Sequence, residues 1–380
     1  MVSTPTDSST SRNGRRTDDP RLSQGRWLRI PGPTVLHPNV LAAMQGDMLP
    51  HRGPELVGMM ERIYSNLKWA HQAEQGVYVW AGTGSAGWEA AIVNLFSPGD
   101  RVVAGVTGSF GDRFATIGAQ FGLDVHRIEI EWGQALTPEQ LADAFAEHGP
   151  FKGAFITHNE TSTGVTNPLP ELARVAREND ALVVVDAVSS AAALPLEVDA
   201  WDLDWVLSGA QKAWMCPPGL MISAVSERAM AASEHASFPR FFWDVKAMAA
   251  AAKANGMLTT APLTMLYALD AALLAMRDEG LEALYARHAR LGEHVRQGLV
   301  AAGLELLADP AYASDSVTAF LAPEGVTSSQ FQERLREDSG IEIALGQGHL
   351  ADRVLRVGHM GWVEQPELDA TLEAIARVAG

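Results

Sequence analysis

Cysteine is almost missing from this chain: Cys216 is the single one in 380 residues. That excludes a disulfide framework and a thiolate metal cluster, and it fits a reducing cytoplasm. Lysine is scarce too, with Lys68, Lys152, Lys212, Lys246 and Lys253 making up the whole set. No stretch approaches the roughly 18 to 20 apolar residues that a membrane-spanning helix needs. Positive charge is in deficit. The net charge of -17 disfavours a nucleic-acid or anionic-membrane surface, so local groups must capture any anionic ligand against that field. Residues 1–25 hold almost nothing to bury and are expected to be a disordered tail. Their Arg15-Arg16 pair is not followed by the apolar stretch of an export signal.

With 47% hydrophobic and 20% charged residues, the chain has the profile of a globular protein, and its length favours two domains. Short apolar runs at 101–106, 124–130, 153–157, 181–186, 204–208 and 219–225 alternate with amphipathic segments. One of these, 137–149, opens with Thr137 and Gln140 at capping-box spacing. Such alternation predicts an α/β fold with a mostly parallel sheet, whose ligands sit at the carboxyl ends of the strands. After about residue 262 a long helical stretch leads into runs at 304–309, 316–322, 341–345 and 354–358, with helices near 327–337 and from Gln365. The expected division is a large domain over 26–262 and a smaller α+β domain over 263–380.

Gly82, Gly84 and Gly87 spell G-x-G-x-x-G between a strand-like run and a helix. A dinucleotide site would need an acidic residue about 20 positions on, at the end of the next strand. The strand "RVVAGVTG" offers none there. What survives is an anion cradle. The backbone N–H groups of Thr83, Gly84 and Ser85 at a helix N-terminus suit a phosphate, and a tight strand–helix turn is the plain alternative.

The run "ALVVVDAVSS" places Asp186 at a strand end, and Lys212 follows just past the next strand, within "LSGAQKAWMCPPG". Both fall on the carboxyl edge toward which the glycine loop points. A phosphate cradle, a buried carboxylate and a lysine among apolar neighbours match what pyridoxal phosphate requires. The amine must be neutral to form an imine with the aldehyde, and burial lowers a lysine pKa from its free value near 10.4. The acid pairs with the protonated ring nitrogen and keeps the ring an electron sink. Trp214, Met215 and Pro217-Pro218 are expected to keep Lys212 dry and its loop rigid.

"VDAVSS" followed by "SGAQKAWMCPPG" resembles the ring-nitrogen aspartate and Schiff-base lysine segments of the class V aminotransferases. Within them the chain is similar to the alanine–glyoxylate / serine–glyoxylate (serine–pyruvate) group. The resemblance runs from "PGPTVLHPNVLAAM" (31–44) to "VLRVGHMG" (354–361) and implies a type I pyridoxal phosphate fold. It implies that Lys212 and Asp186 are catalytic, and that Thr83, Gly84 and Ser85 cradle the phosphate with help from Gln211. Phe110 in "SFGDR" would stack on the cofactor ring, and Thr161 in "HNETSTG" would place a hydroxyl beside it. Thr260 would reach the partner subunit's phosphate, which implies a homodimer with a shared active site, although Met257 stands near a position where some relatives carry tyrosine. Arg356 would grip the substrate carboxylate through its planar fork. Pro31, Gly32, Pro33 and Thr34 would set the N-terminal segment against the site mouth, with Gly32 on the substrate. His51 and Arg52 either approach the substrate or are structural.

The activity so implied is a ping-pong transfer of an amino group from a small L-amino acid, alanine or serine, to glyoxylate or pyruvate. No metal is implied. Rivals are a lyase, a cysteine desulfurase using Cys216, and a transaminase for 2-aminoethylphosphonate or ureidoglycine. A nicotinamide-dependent dehydrogenase and a non-catalytic scaffold are rivals of other classes.

Overall fold

Val183, Val184 and Val185 point in turn into two different apolar clusters, the odd-numbered pair into one and Val184 into the other. A strand that alternates between two cores must be covered on both faces, and such strands read as continuous hydrophobic runs. The computed structural model describes residues 22–23, 26–74 and 76–380. Its main sheet has seven strands in the order Val77–Gly82, Gly219–Val225, Trp205–Gly209, Leu182–Asp186, Gly153–Thr157, Arg101–Val106 and Asp124–Glu129. Only Gly219–Val225 runs antiparallel to its neighbours. One face packs on the helices Pro54–His71 and Leu263–Glu279, the other on Gly84–Leu95 and Ser109–Gln120.

The strand runs read from the sequence recur at these places, and Thr137 closes a reciprocal capping box with Gln140 on the helix Pro138–His148. Three expectations need correction. The long helical stretch is two helices, Leu263–Glu279 and Leu281–Ala301, because Gly280 turns the chain at φ 84°. The run 304–309 forms no strand and touches its neighbour through a single bridge, Leu306 to Phe320. The run 341–345 splits: Ile341–Glu342 pairs with Arg26–Leu28, whereas Ala344–Leu345 joins Val317–Leu321 and Val354–Gly358 in a second sheet. The expected tail over 1–25 lies outside the described residues except for Leu22–Ser23, a short strand paired antiparallel with Arg26 and Trp27. A third apolar cluster, including Leu291, Phe320, Phe331 and Leu355, fills the space under the second sheet. Among the described residues no helix is long and apolar enough to cross a membrane.

His288 is fully buried, its Nδ1 at 2.8 Å from the Leu284 carbonyl while its Nε2 accepts the Gly361 N–H at 3.0 Å. Those partners demand a neutral ring, and burial pushes its pKa down to about 3. The unfolded chain therefore binds a proton that the folded chain refuses between about pH 6.5 and 3, so stability falls as pH drops through that window. At pH 5 the loss due to His288 is expected to be about 2 kcal/mol. Urea denaturation of the wild type and His288→Gln at pH 7 and 5 measures it. A variant as acid-sensitive as the wild type would contradict the assignment.

Candidate active site

Five strands of the sheet run the same way as Leu182–Asp186, and their carboxyl ends converge on one edge. A cavity of about 300 Å³ opens there, lined among others by Thr83, Gly84, Ser85, Phe110, Thr161, Asp186, Gln211 and Lys212. Eight of the residues singled out in the sequence thus meet in one place.

Lys212 sits on the turn after Trp205–Gly209. Met215 N–H bonds back to the Lys212 carbonyl at 2.9 Å and Cys216 N–H to the Ala210 carbonyl at 3.1 Å, so the turn is closed on itself. Met215 adopts a left-handed φ of 58°, an uncommon conformation for a non-glycine residue. Trp214 is fully buried and stacks on His71 at 5.4 Å. The Lys212 ammonium donates to the Pro31 carbonyl at 2.7 Å, and Thr34 Oγ1 donates to the Lys212 carbonyl at 2.8 Å. Gly32 lies against the lysine stem: a Cβ there would fall 2.6 Å from its Cδ and 2.7 Å from Nζ, and the glycine's φ of 130° favours no other residue. Burial lowers the Lys212 pKa to about 8, the Arg356 charge adds to the shift, and Asp186 opposes it. Such an amine is neutral in an appreciable fraction near neutrality.

Asp186 is 3% exposed. Its Oδ1 accepts the Val188 N–H at 2.8 Å and its Oδ2 the Trp88 indole N–H at 3.0 Å. Burial nevertheless raises its pKa to about 7, and the charge of Glu160 adds to that. A carboxylate so placed gains from a cationic partner. Trp88 is itself held by stacking on Phe114, which stacks on Phe155. Thr161 Oγ1 donates to Ser189 Oγ at 2.7 Å, a hydroxyl that also accepts from Asn159 Nδ2 at 2.9 Å.

Arg356 is 6% exposed. Its Nε and Nη2 donate to the Leu345 carbonyl at 3.0 and 2.7 Å, and Nη1 donates to the Thr161 carbonyl at 3.1 Å. No carboxylate among the described residues forms an ion pair with it, so the guanidinium is a buried cation with donors left over. Burial lowers its pKa to about 10. Thr260 lies elsewhere, in a second cavity of about 600 Å³ with His51, Arg52 and Met257.

Trp88, Val188, Ser189 and Arg113 line the main cavity and were not singled out in the sequence. Trp88 had a signal: it stands four residues after Gly84 on one helix, hence on the same face. Arg113 follows Phe110 by one turn and covers its ring at 5.4 Å.

The residues fit pyridoxal phosphate. Thr83 caps the helix Gly84–Leu95 without a side-chain hydrogen bond, which leaves its hydroxyl and the first-turn N–H groups for an anion. Gln211 lines the cavity, and its amide NH₂ is a donor that a phosphate oxygen can take. Asp186 forms no ion pair among the described residues, and Lys212 offers an amine of lowered pKa.

Comparison with known proteins agrees. Residues 31–361 match the family model described as aminotransferase class-V. The chain is 38% identical over 92% of its length to a Synechococcus protein named soluble hydrogenase, small subunit, of which 92% is covered. It is 33% identical to the serine–glyoxylate aminotransferase of Methylorubrum extorquens, with 88% of this chain and 86% of that one aligned. The crystal structure of an alanine–glyoxylate aminotransferase from Nostoc sp. superposes with a TM-score of 0.89 at 33% identity, covering 93% of this chain and 95% of that one. The fold, the lysine–aspartate pair on one sheet edge and these likenesses converge: the chain belongs to the class V aminotransferases and is a pyridoxal phosphate-dependent transaminase of amino and keto acids.

Proposed function

We propose that this transaminase moves an amino group from a small L-amino acid, alanine or serine, to glyoxylate or pyruvate in a ping-pong reaction. The observation that carries the reading is Arg356, a buried guanidinium with no carboxylate partner, bonded to the carbonyl of a residue whose neighbourhood lines the cavity. A planar fork suits the carboxylate shared by amino and keto acids. The relatives named for serine–glyoxylate and alanine–glyoxylate transfer support the same substrates.

Thr83, Gly84, Ser85 and Gln211 would hold the phosphate, Phe110 would cover the ring, Thr161 would stand beside it, and Asp186 would pair with the ring nitrogen. When bound, pyridoxal phosphate supplies an aldehyde for the amine and a ring that withdraws electrons from the substrate α-carbon. Lys212, as a neutral amine, would take the α-proton as general base, and the ammonium so formed would give it back as general acid. Its N–H to the Pro31 carbonyl fixes one donor direction and so helps to aim the lone pair. Asp186 keeps its charge while a cation faces it. Arg356 and Gly32 hold the substrate end.

The reading includes a homodimer with a shared site, in which Thr260, set apart on one protomer, serves the partner's phosphate. It also includes a cytoplasmic setting and a boundary near residue 262 between a large and a smaller domain. The buried Cys216 thiol, which donates to the Trp214 carbonyl and whose pKa burial pushes up, speaks against sulfur transfer. Steady-state kinetics with L-alanine, L-serine, 2-aminoethylphosphonate and ureidoglycine, each against glyoxylate and pyruvate, test the substrates. Alanine or serine is expected to exceed the others in kcat/KM by about tenfold or more, with parallel double-reciprocal lines. Preference for the phosphonate or the ureido donor would overturn it.

A further inference from the structure

We propose that Glu160 is a positioning residue for the cofactor ring: its carboxylate fixes the first turn of the helix Ser109–Gln120, and with it Phe110, and links that turn to Arg356. The proposal rests on the reading that Phe110 covers the ring of pyridoxal phosphate. Glu160 is completely buried. Its Oε2 accepts the N–H groups of Phe110 and Gly111, both at 3.0 Å. Its Oε1 accepts the Ser162 N–H at 3.0 Å and the Ser162 hydroxyl at 2.5 Å. That hydroxyl in turn accepts the Ser109 N–H at 2.9 Å.

Three first-turn N–H groups are thus satisfied by the segment 160–162, some 50 residues further along the chain. The usual local cap is missing, because the N-cap residue is Gly108 and has no side chain. Glycine is needed there for approach rather than for capping. A Cβ at Gly108 would lie 2.4 Å from the Glu160 Cγ and from the Ser162 Oγ. A negative charge is also favoured at a helix N-terminus, which offsets part of the cost of burying it.

Both ends of this link reach the site. Phe110 lines the cavity. Thr161, the next residue after Glu160, lines it too, and its carbonyl accepts from Arg356. A shift of Glu160 would move the ring-covering side chain and the substrate-binding cation together.

The test is a double-mutant cycle read in cofactor affinity. Glu160→Gln keeps the size but leaves one acceptor oxygen for four donors and points an amide NH₂ at N–H groups. Titration of apoprotein with pyridoxal phosphate is expected to give a Kd raised about tenfold, with a weakened induced circular dichroism of the visible band. Phe110→Ala alone should raise Kd by a comparable factor. Combined, the two should exceed Phe110→Ala by no more than about twofold, because both act through one ring. A Kd raised by the product of the two single effects would overturn the proposal and leave the ring-covering reading standing. A wild-type Kd in Phe110→Ala would overturn that reading and the proposal with it. Should Glu160→Gln not fold, Ser162→Ala keeps the carboxylate and removes only the hydroxyl that joins it to Ser109. It is then expected to raise Kd roughly threefold, and not at all in the Phe110→Ala background. No rise, or an additive one, overturns the proposal.

Discussion

Lys212→Ala is expected to lower turnover by about four orders of magnitude, since on the proposed reading it removes both the covalent anchor and the general base. The argument starts with position. Lys212 lies three residues past the strand Trp205–Gly209, on the sheet edge where Asp186 ends its own strand. It continues with the surroundings. Burial and the Arg356 charge bring the amine to about 8, so it can lose a proton and act as nucleophile and base near neutrality. The turn that carries it is anchored elsewhere, by Trp214 in the core and by Thr34 on the Lys212 carbonyl, so truncating the side chain should leave the fold intact. The variant should keep the wild-type melting temperature without cofactor and should still bind pyridoxal phosphate reversibly through the phosphate cradle. Steady-state rates with excess cofactor measure the loss. Activity within tenfold of wild type would show that another group performs the proton transfer.

Asp186→Asn should separate catalysis from stability. The amide keeps the volume but cannot hold a positive charge at the ring nitrogen. Removing one member of a buried ion pair costs about 3 kcal/mol or more, on the order of a hundredfold in kcat. Without cofactor the sign reverses. A carboxyl whose folded pKa is raised to about 7 destabilises the fold where it is ionised above that pH, and the destabilisation fades as pH falls. The neutral amide removes that cost at pH 8 and loses one hydrogen bond, to Val188 or to Trp88. The apoprotein melting temperature is therefore expected to hold or rise while kcat collapses. A variant with wild-type kcat, or one that melts well below the wild type at pH 8, would contradict this account of Asp186.

Much of the candidate site, the eight residues that meet in one cavity, could be proposed from the sequence because its parts are local. Asp186 ends a valine-rich strand and Lys212 follows the next one by three residues, so their shared edge follows from the βαβ order alone. The glycine loop announces a close backbone approach in three residues. Glu160 and Trp88 were hidden because their roles are distant contacts. Glu160 caps a helix that begins about 50 positions earlier, and Trp88 reaches an aspartate 98 positions later. The helix break at Gly280 was also hidden: one glycine inside a periodic apolar pattern is compatible with continuation, and only the left-handed turn ends it. The split of 341–345 between two sheets depends on which neighbour each two-residue strand finds. One neighbour, Arg26–Leu28, comes from the opposite end of the chain.

The most direct measurement is chemical. Holoprotein saturated with pyridoxal phosphate is reduced with borohydride, digested and analysed by mass spectrometry. The account predicts one modified peptide, carrying the pyridoxyl group on Lys212. A label on Lys68, Lys152, Lys246 or Lys253, or no label after reconstitution, would contradict it.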